Sequence, residues 1–272
     1  MGSMNIVGLQ FDIVWENKAA NFEKIRRLLG EAAPAKNSLV ALPEFSATGF
    51  SLDTAAIADA PGGETEQFLR RTAAEFGVCL MASVPVRGPD GRTRNRALVV
   101  APSGELLADY AKMRPFTLGG EAAHYAAGDH PVAFPWDGWT VAPFICFDLR
   151  FPELFRAAAA THQPHLFTVI ANWPASRIHH WLRLLQARAI ENQAWVLGVN
   201  RTGRDPLYVY NGHSVIIDPQ GEIIADAGEN EGAISHSLDL PALLKYRATL
   251  PFLADMRAIT IQPNILPQKS GN

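Results

Sequence analysis

The chain of 272 residues has very little cysteine: Cys79 and Cys146 are its only two. Two cysteines cannot build a disulfide framework, so the fold must rest on its core, and the pair suits a reducing compartment such as the cytoplasm. No stretch offers ~18 consecutive apolar residues, which leaves no candidate for a membrane-spanning helix. Charge of one sign is missing as well. Against 24 Lys+Arg stand 27 Asp+Glu, a formal net charge of −3, with no block of like charge. That balance gives no footprint for nucleic acid or an anionic membrane, and leaves a small polar or anionic metabolite open as a ligand. Metal-ligand spacing is absent too. His179 and His180 are adjacent and point different ways on a helix, His124 and His130 fall in a loop, and no His-x-x-x-His occurs. A zinc site is therefore not expected, and no metal or organic cofactor is needed. Nor is there a Gly-x-Ser-x-Gly elbow of the kind that serves serine hydrolases.

What is present is an ordinary globular composition, 48% hydrophobic and 19% charged, with enough apolar residues for a full core. Met1-Gly2-Ser3 reads as a short added leader before a native Met4, without the basic and apolar stretches of a secretory signal. Residues 4–272 read as one domain with a packing tail from about Lys245, since no linker or low-complexity segment interrupts them. Short apolar runs alternate with amphipathic stretches. Strands are expected at Ile6–Leu9, Leu39–Leu42, Val78–Val84, Ala97–Val100, Leu106–Tyr110, Thr140–Phe147, Leu166–Ile170, Trp195–Val199, Val215–Ile217 and Glu222–Ala225. Helices are expected over Asn21–Leu29, Glu64–Phe76, Pro152–Ala160 and Ser176–Asn192. Interleaved strands and helices point to α/β or α+β layering.

Two hairpins resemble each other. Leu98 to Asp109 aligns with Val215 to Asp226, matching Pro102, Gly104, Glu105, Ala108 and Asp109 with Pro219, Gly221, Glu222, Ala225 and Asp226. The matched flanks suggest equivalent β-meanders, one in each of two sheets packed face to face.

Three residues stand at the ends of expected strands, where α/β sheets gather their sites. Cys146 follows Val141-Ala142-Pro143-Phe144-Ile145. A lone cysteine is more often a small core hydrophobe than a nucleophile, and Cys79, in mid-strand, fits that plain reading. Glu44 follows Leu39-Val40-Ala41-Leu42-Pro43 and serves as a general base if Phe45 and Phe50 desolvate it; otherwise it is a solvated loop charge. Lys112 closes the strand before Thr117 to Gly120, and Glu121, nine positions on, is placed to hold it as an ion pair. Taken alone a lysine is usually solvated surface.

The set carries more than its members. Leu42-Pro43-Glu44-Phe45, Tyr110-Ala111-Lys112 and Ile145-Cys146-Phe147-Asp148-Leu149-Arg150-Phe151-Pro152-Glu153 resemble the three signature blocks of the nitrilase-like carbon-nitrogen hydrolases. Asn172-Trp173-Pro174 and Arg188-Ala189-Ile190-Glu191-Asn192 are similar to family segments as well. The likeness runs from about Met4 to Leu240. It implies a four-layer α-β-β-α sandwich with two packed mixed β-sheets, usually paired into dimers or larger assemblies. It also implies roles: Cys146 as nucleophile, Glu44 as proton acceptor, Lys112 with the Phe147 backbone N–H as oxyanion stabiliser, and Glu121 orienting the amide or Lys112. The short interval from Lys112 to Glu121 is similar to bacterial omega-amidase-like members, which hydrolyse the terminal amide of substrates such as 2-oxoglutaramate. Such an anion needs a cationic anchor, and Arg150, Arg177 and Arg114 are the candidates, with Trp173 as a pocket wall. Arg150 has a plainer use as partner of a carboxylate bracing its turn. Arg114-Pro115 replaces the His-Leu common in relatives, which touches the substrate more than the reaction. The competing readings are nitrile hydrolysis or acyl transfer through the same thioester, and a non-catalytic binding member of the fold.

Overall fold

The computed structural model describes residues 2–257. Its strands are split by the two-residue period of extended chain, which sends successive side chains to opposite faces. In β1 (Ser3–Gln10), Met4 and Ile6 enter one core while Val7 and Leu9 enter another. The same division runs through β2 (Leu39–Ala41), β3 (Cys79–Arg87) and β4 (Thr93–Val100), which put Leu39, Cys79, Met81 and Val99 on one side and Val40, Leu80 and Leu98 on the other. Both faces are buried, which is why these strands read as continuous apolar runs. Cys79 is core, as its mid-strand position suggested.

Helix α1 (Lys18–Ala32) starts where Asn17 accepts the N–H of Ala20, and buries Ile25, Leu28 and Leu29. After the single turn α2 (Thr54–Ile57), α3 (Glu64–Phe76) carries Glu64 and Glu66 in its first turn, favourable against the helix dipole, and stops at Gly77 in the left-handed region. With β5 (Leu106–Ala111), the first half forms a sheet flanked by α1 and α3. A short helix α4 (Glu121–His124) and β6 (Phe134–Trp136) lead to β7 (Trp139–Ile145), α5 (Pro152–His162), β8 (Leu166–Ile170), α6 (Ile178–Asn192) and β9 (Trp195–Val199). The ribbon β10 (Thr202–Arg204) and β11 (Val209–Asn211) stands apart. Strands β12 (Val215–Ile217), β13 (Ile223–Asp226) and β14 (Gly232–Asp239) precede α7 (Leu240–Thr249).

Two six-stranded mixed sheets result, ordered β14-β1-β2-β3-β4-β5 and β13-β12-β9-β8-β7-β6. Read from β14 and from β6, the pairings are the same: antiparallel, parallel, parallel, antiparallel, antiparallel. The two similar hairpins, β4–β5 and β12–β13, fall at equivalent positions, one per sheet, and both carry a register shift, at Val99/Val100 and at Ile216/Ile217. The sheets pack face to face around the larger core, with α5 and α6 outside the second. This is the expected four-layer arrangement.

Three expectations need adjusting. The strand expected to run through Phe147 ends at Ile145, because Cys146 takes φ +46° and opens a 3-10 turn over Cys146–Arg150. The chain stays helical through Thr249 rather than turning irregular at Lys245, and a 3-10 turn follows at Phe252–Asp255. Ser3 belongs to β1, opposite Asp239. The apolar tail stretch Ile259 to Ile265 lies outside the described residues.

Candidate active site

Glu44 follows β2 by way of Leu42 and Pro43, and the next residue, Phe45, sits at φ +46°. The chain thus turns sharply and leaves the Glu44 carboxylate fully buried beneath an apolar cluster of Phe45, Phe50 and Tyr125. The desolvated setting expected from Phe45 and Phe50 is present. Lys112 comes from the end of β5. Its backbone is fixed on both sides, N–H to the Asn95 carbonyl (2.8 Å) and C=O from Gly128 (2.8 Å). Its ammonium is 1% exposed and donates to Glu44 Oε1 (2.8 Å) and Glu121 Oε2 (2.7 Å). A buried ammonium is tolerable only because two carboxylates face it. The ion pair expected with Glu121 is therefore found.

Asn95, in β4, was not visible as a site residue in the sequence. Its Nδ2 donates to both Glu44 Oε1 (2.8 Å) and Glu121 Oε1 (3.2 Å), while its Oδ1 accepts the Ser83 hydroxyl (2.7 Å). Ser83 in turn accepts the Phe45 N–H (3.0 Å). Glu121 also accepts the Phe116 N–H (2.6 Å). One amide thus spaces the two carboxylates, and two of the three Lys112 N–H donors are spent on them.

Cys146 begins the 3-10 turn after β7, on the second sheet. A non-glycine residue at positive φ is strained by about 1–3 kcal/mol and persists only where its surroundings hold it. Asp148 is part of what holds it. Its carboxylate, fully buried, accepts the N–H of Ile145 (3.1 Å), the N–H of Arg114 (2.8 Å) and the Tyr110 hydroxyl (2.7 Å). Tyr110 and Arg114 stand two residues either side of Lys112, so one side chain ties the lysine strand to the cysteine turn. From outside, Arg188 Nη2 donates to the Leu149 carbonyl (2.8 Å). The leading N–H groups of the turn, Phe147 included, precede any acceptor within it.

Cys146 and Glu44 flank the same residue. Asn172, just past β8, donates its N–H to Glu44 Oε2 (2.9 Å), and its carbonyl lies 4.0 Å from Cys146 Sγ. Burial pushes the Cys146 thiol well above its usual range, Glu44 adds to the rise, and Lys112 opposes it. The Lys112 ammonium is held charged, the two glutamates outweighing its burial.

A cleft of about 260 Å³, counted out to its open mouth, is lined by Phe116, Cys146, Phe147, Arg150, Asn172, Trp173, Pro174 and Arg177. Arg150 lies over the Trp173 ring (4.7 Å) and donates to His180 Nδ1 (3.3 Å); Arg177 lies over Phe116 (5.6 Å) and Tyr208 (5.8 Å). Among the described residues neither has a carboxylate within 4.0 Å, so the plainer use of Arg150 is not the one found; Asp148 braces the turn instead. Burial and the nearby charge of Arg177 lower the pKa of Arg150. Arg114 does not line the cleft: it sits 3.6 Å from Glu153 on the surface. Trp173 is buried, its indole N–H on the Arg177 carbonyl (2.8 Å). Broader hollows exist, such as one beside Phe22, Arg26, Phe68 and Glu75, but neither cysteine lines them. No cluster of three or more His, Cys, Asp or Glu suited to a metal ion occurs among the described residues. No helix among them is long and apolar enough to cross a membrane.

A family model described as carbon-nitrogen hydrolase matches residues 6–248. The chain is 38% identical to the omega-amidase YafV of Yersinia enterocolitica, over 94% of this chain and 97% of that protein. It is 35% identical to the 2-oxoglutaramate amidase of Bacillus subtilis, over 92% and 96%. Among solved structures, a CN-hydrolase superfamily protein from Xanthomonas campestris with an arsenic adduct in its active site superposes with a TM-score of 0.91. It is 33% identical, with 96% of this chain and 100% of that one covered.

Proposed function

The chain belongs to the carbon-nitrogen hydrolase family and is an enzyme acting on amides, and from that premise we propose that it removes the terminal amide of a small carboxylate through a thioester on Cys146. The observation that carries the reading is a cleft lined by a strained Cys146 and by two arginines without carboxylate partners among the described residues, with the buried Glu44–Lys112–Glu121 cluster reached from Cys146 through Asn172.

The Cys146 sulfur attacks the amide carbon as its proton passes to Glu44. Lys112 and the Phe147 N–H receive the oxyanion, each such donor contributing roughly 3–4 kcal/mol to the transition state. Glu44 returns the proton to the departing nitrogen, the C–N bond breaks, and ammonia leaves. Water then attacks the thioester with Glu44 as base, the C–S bond breaks, and the acid departs with the thiol restored. Burial makes the thiol a poor acid at rest, so a base beside it is required rather than ornamental. Glu121 keeps Lys112 aimed and charged.

Arg150 and Arg177 set the substrate class. Two guanidinium groups lining one small cleft, with no carboxylate beside them among the described residues, favour a carboxylate-bearing amide. With the named relatives, this supports an omega-amidase preference, 2-oxoglutaramate being the first substrate to test. The two-cysteine composition supports a cytoplasmic enzyme, and the family likeness supports a homodimer or larger homo-oligomer. Ammonia release from a panel of 2-oxoglutaramate, glutamine, butyramide and butyronitrile tests the reading. 2-Oxoglutaramate should be turned over fastest, and Arg150→Ala should raise its KM about tenfold more than that of butyramide. Faster turnover of glutamine or of the nitrile would reassign the substrate.

A further inference from the structure

Asn172 has four hydrogen-bonding groups, and three are committed. Its N–H donates to Glu44 Oε2 (2.9 Å), its Nδ2 donates to the Glu44 backbone carbonyl (3.0 Å), and its own carbonyl lies 4.0 Å from Cys146 Sγ. The fourth, Oδ1, is buried and has no partner among the described residues. Its identity as oxygen is fixed, because the Glu44 carbonyl can only accept and must therefore face the nitrogen. A buried acceptor without a donor is costly, and such groups are rare unless a ligand completes them. Of the buried orphaned side-chain atoms, this one belongs to a residue lining the cleft beside Cys146.

The donor it lacks can be read from the chemistry of the site. A scissile carboxamide brings one oxygen and two N–H donors. The oxygen goes to Lys112 and the Phe147 N–H, which leaves the N–H groups needing acceptors. Glu44 Oε1 is already taken by Lys112 and Asn95, and Oε2, which accepts the Asn172 N–H, has its remaining lone pair for the thiol proton. Glu121 is taken by Lys112, Asn95 and the Phe116 N–H. The cleft arginines have no acceptor at all. We propose that Asn172 Oδ1 accepts an N–H of the scissile –NH2 group, and so makes Asn172 the residue that selects carboxamides over esters and nitriles. Neither of those substrates carries an N–H there, and each would leave the buried oxygen unpaired in the closed site. The inference rests on the nucleophile assignment made above and extends it to the leaving group.

A matched pair of substrates isolates the effect: the best amide of the panel and the methyl ester of the same acyl group. Both pass through one thioester, so deacylation cancels in the ratio of their kcat/KM values. Asn172→Ala should lower the amide-to-ester ratio by roughly ten- to a hundred-fold. An equal fall for both substrates would overturn the proposal and leave Asn172 as a prop for Glu44, with the nucleophile assignment intact. Turnover persisting in Cys146→Ala would instead overturn that assignment, and the proposal with it. If Asn172→Ala does not fold, Asn172→Ser, which likewise lacks Oδ1 at that place, is read in the same way.

Discussion

One ammonium faces two carboxylates in the buried cluster, and the surplus negative charge bears on the thiol next to it. Glu44→Gln removes one of those charges while leaving Lys112 paired with Glu121. The thiol then loses a repulsive neighbour, so its pKa falls and more thiolate is present at a given pH. Alkylation of Cys146 by iodoacetamide at pH 8 should therefore be faster in Glu44→Gln than in wild type. On the proposed mechanism ammonia release should drop at least ~1,000-fold, the loss of the proton shuttle assigned to both half-reactions. Slower alkylation would show that Glu44 does not oppose thiol ionisation. At this scale the sequence was partly legible. Cys146, Glu44, Lys112 and Glu121 stand in recognisable stretches, whereas Asn95 and Ser83 do not. A signal for Asn95 existed: it shares the inward face of β4 with Ala97 and Val99, and a polar residue on an apolar alternation marks a buried network. The expected strand began at Ala97, two residues too late to show it.

The 3-10 turn over Cys146–Arg150 is the element on which the site depends, and Asp148 is its anchor. Burial pushes Asp148 up to about 7, against the downward pull of Lys112, Tyr110, Ile145 and Arg114. A carboxyl whose folded pKa is raised contributes stability that is full below its unfolded value near 4 and is lost as pH climbs through the folded one. Unfolding free energy should therefore fall from pH 4 to pH 7 by on the order of 4 kcal/mol on account of this group. In Asp148→Asn that component of the slope should vanish in urea denaturation at the two pH values. The same variant sets an amide N–H against one of the backbone N–H donors, so kcat should fall more than KM rises. An unchanged slope would mean that Asp148 is already ionised at pH 4. Element boundaries were legible where punctuation is strong. The expected Glu64–Phe76 helix matches α3, because Pro61-Gly62-Gly63 precedes it and Gly77 stops it. They failed where a backbone dihedral decided, as at Cys146. β14 escaped notice because it is an edge strand with only Ile234 and Leu238 among its buried apolar residues.

At the scale of the molecule, two sheets with the same order of pairings lie against each other, and their spacing is set by small residues. A Cβ on Gly8 of β1 would come within 2.9 Å of Val199 Cγ2 on β9. Gly8→Ala should therefore overpack the interface and lower unfolding free energy by roughly 1–3 kcal/mol, measured as a reduced urea midpoint with an unchanged slope. A neutral result would show that the sheets can part slightly without cost. The paired architecture was legible from the two hairpins, Leu98 to Asp109 and Val215 to Asp226, because turn chemistry and flanking residues repeat together. The ribbon β10–β11, which brings Tyr208 against Arg177, was not. Its three-residue strands carry too little pattern.

Glu44 and Lys112 hang from the first sheet, Cys146 and Asn172 from the second. A nascent chain released only as far as Lys112 holds Glu44 and the ammonium but, of the two cysteines, only the core Cys79. Translation order thus keeps Cys146 apart from Glu44 and Lys112 until the later strands dock, so on the proposed mechanism a product of the early half alone turns over no substrate.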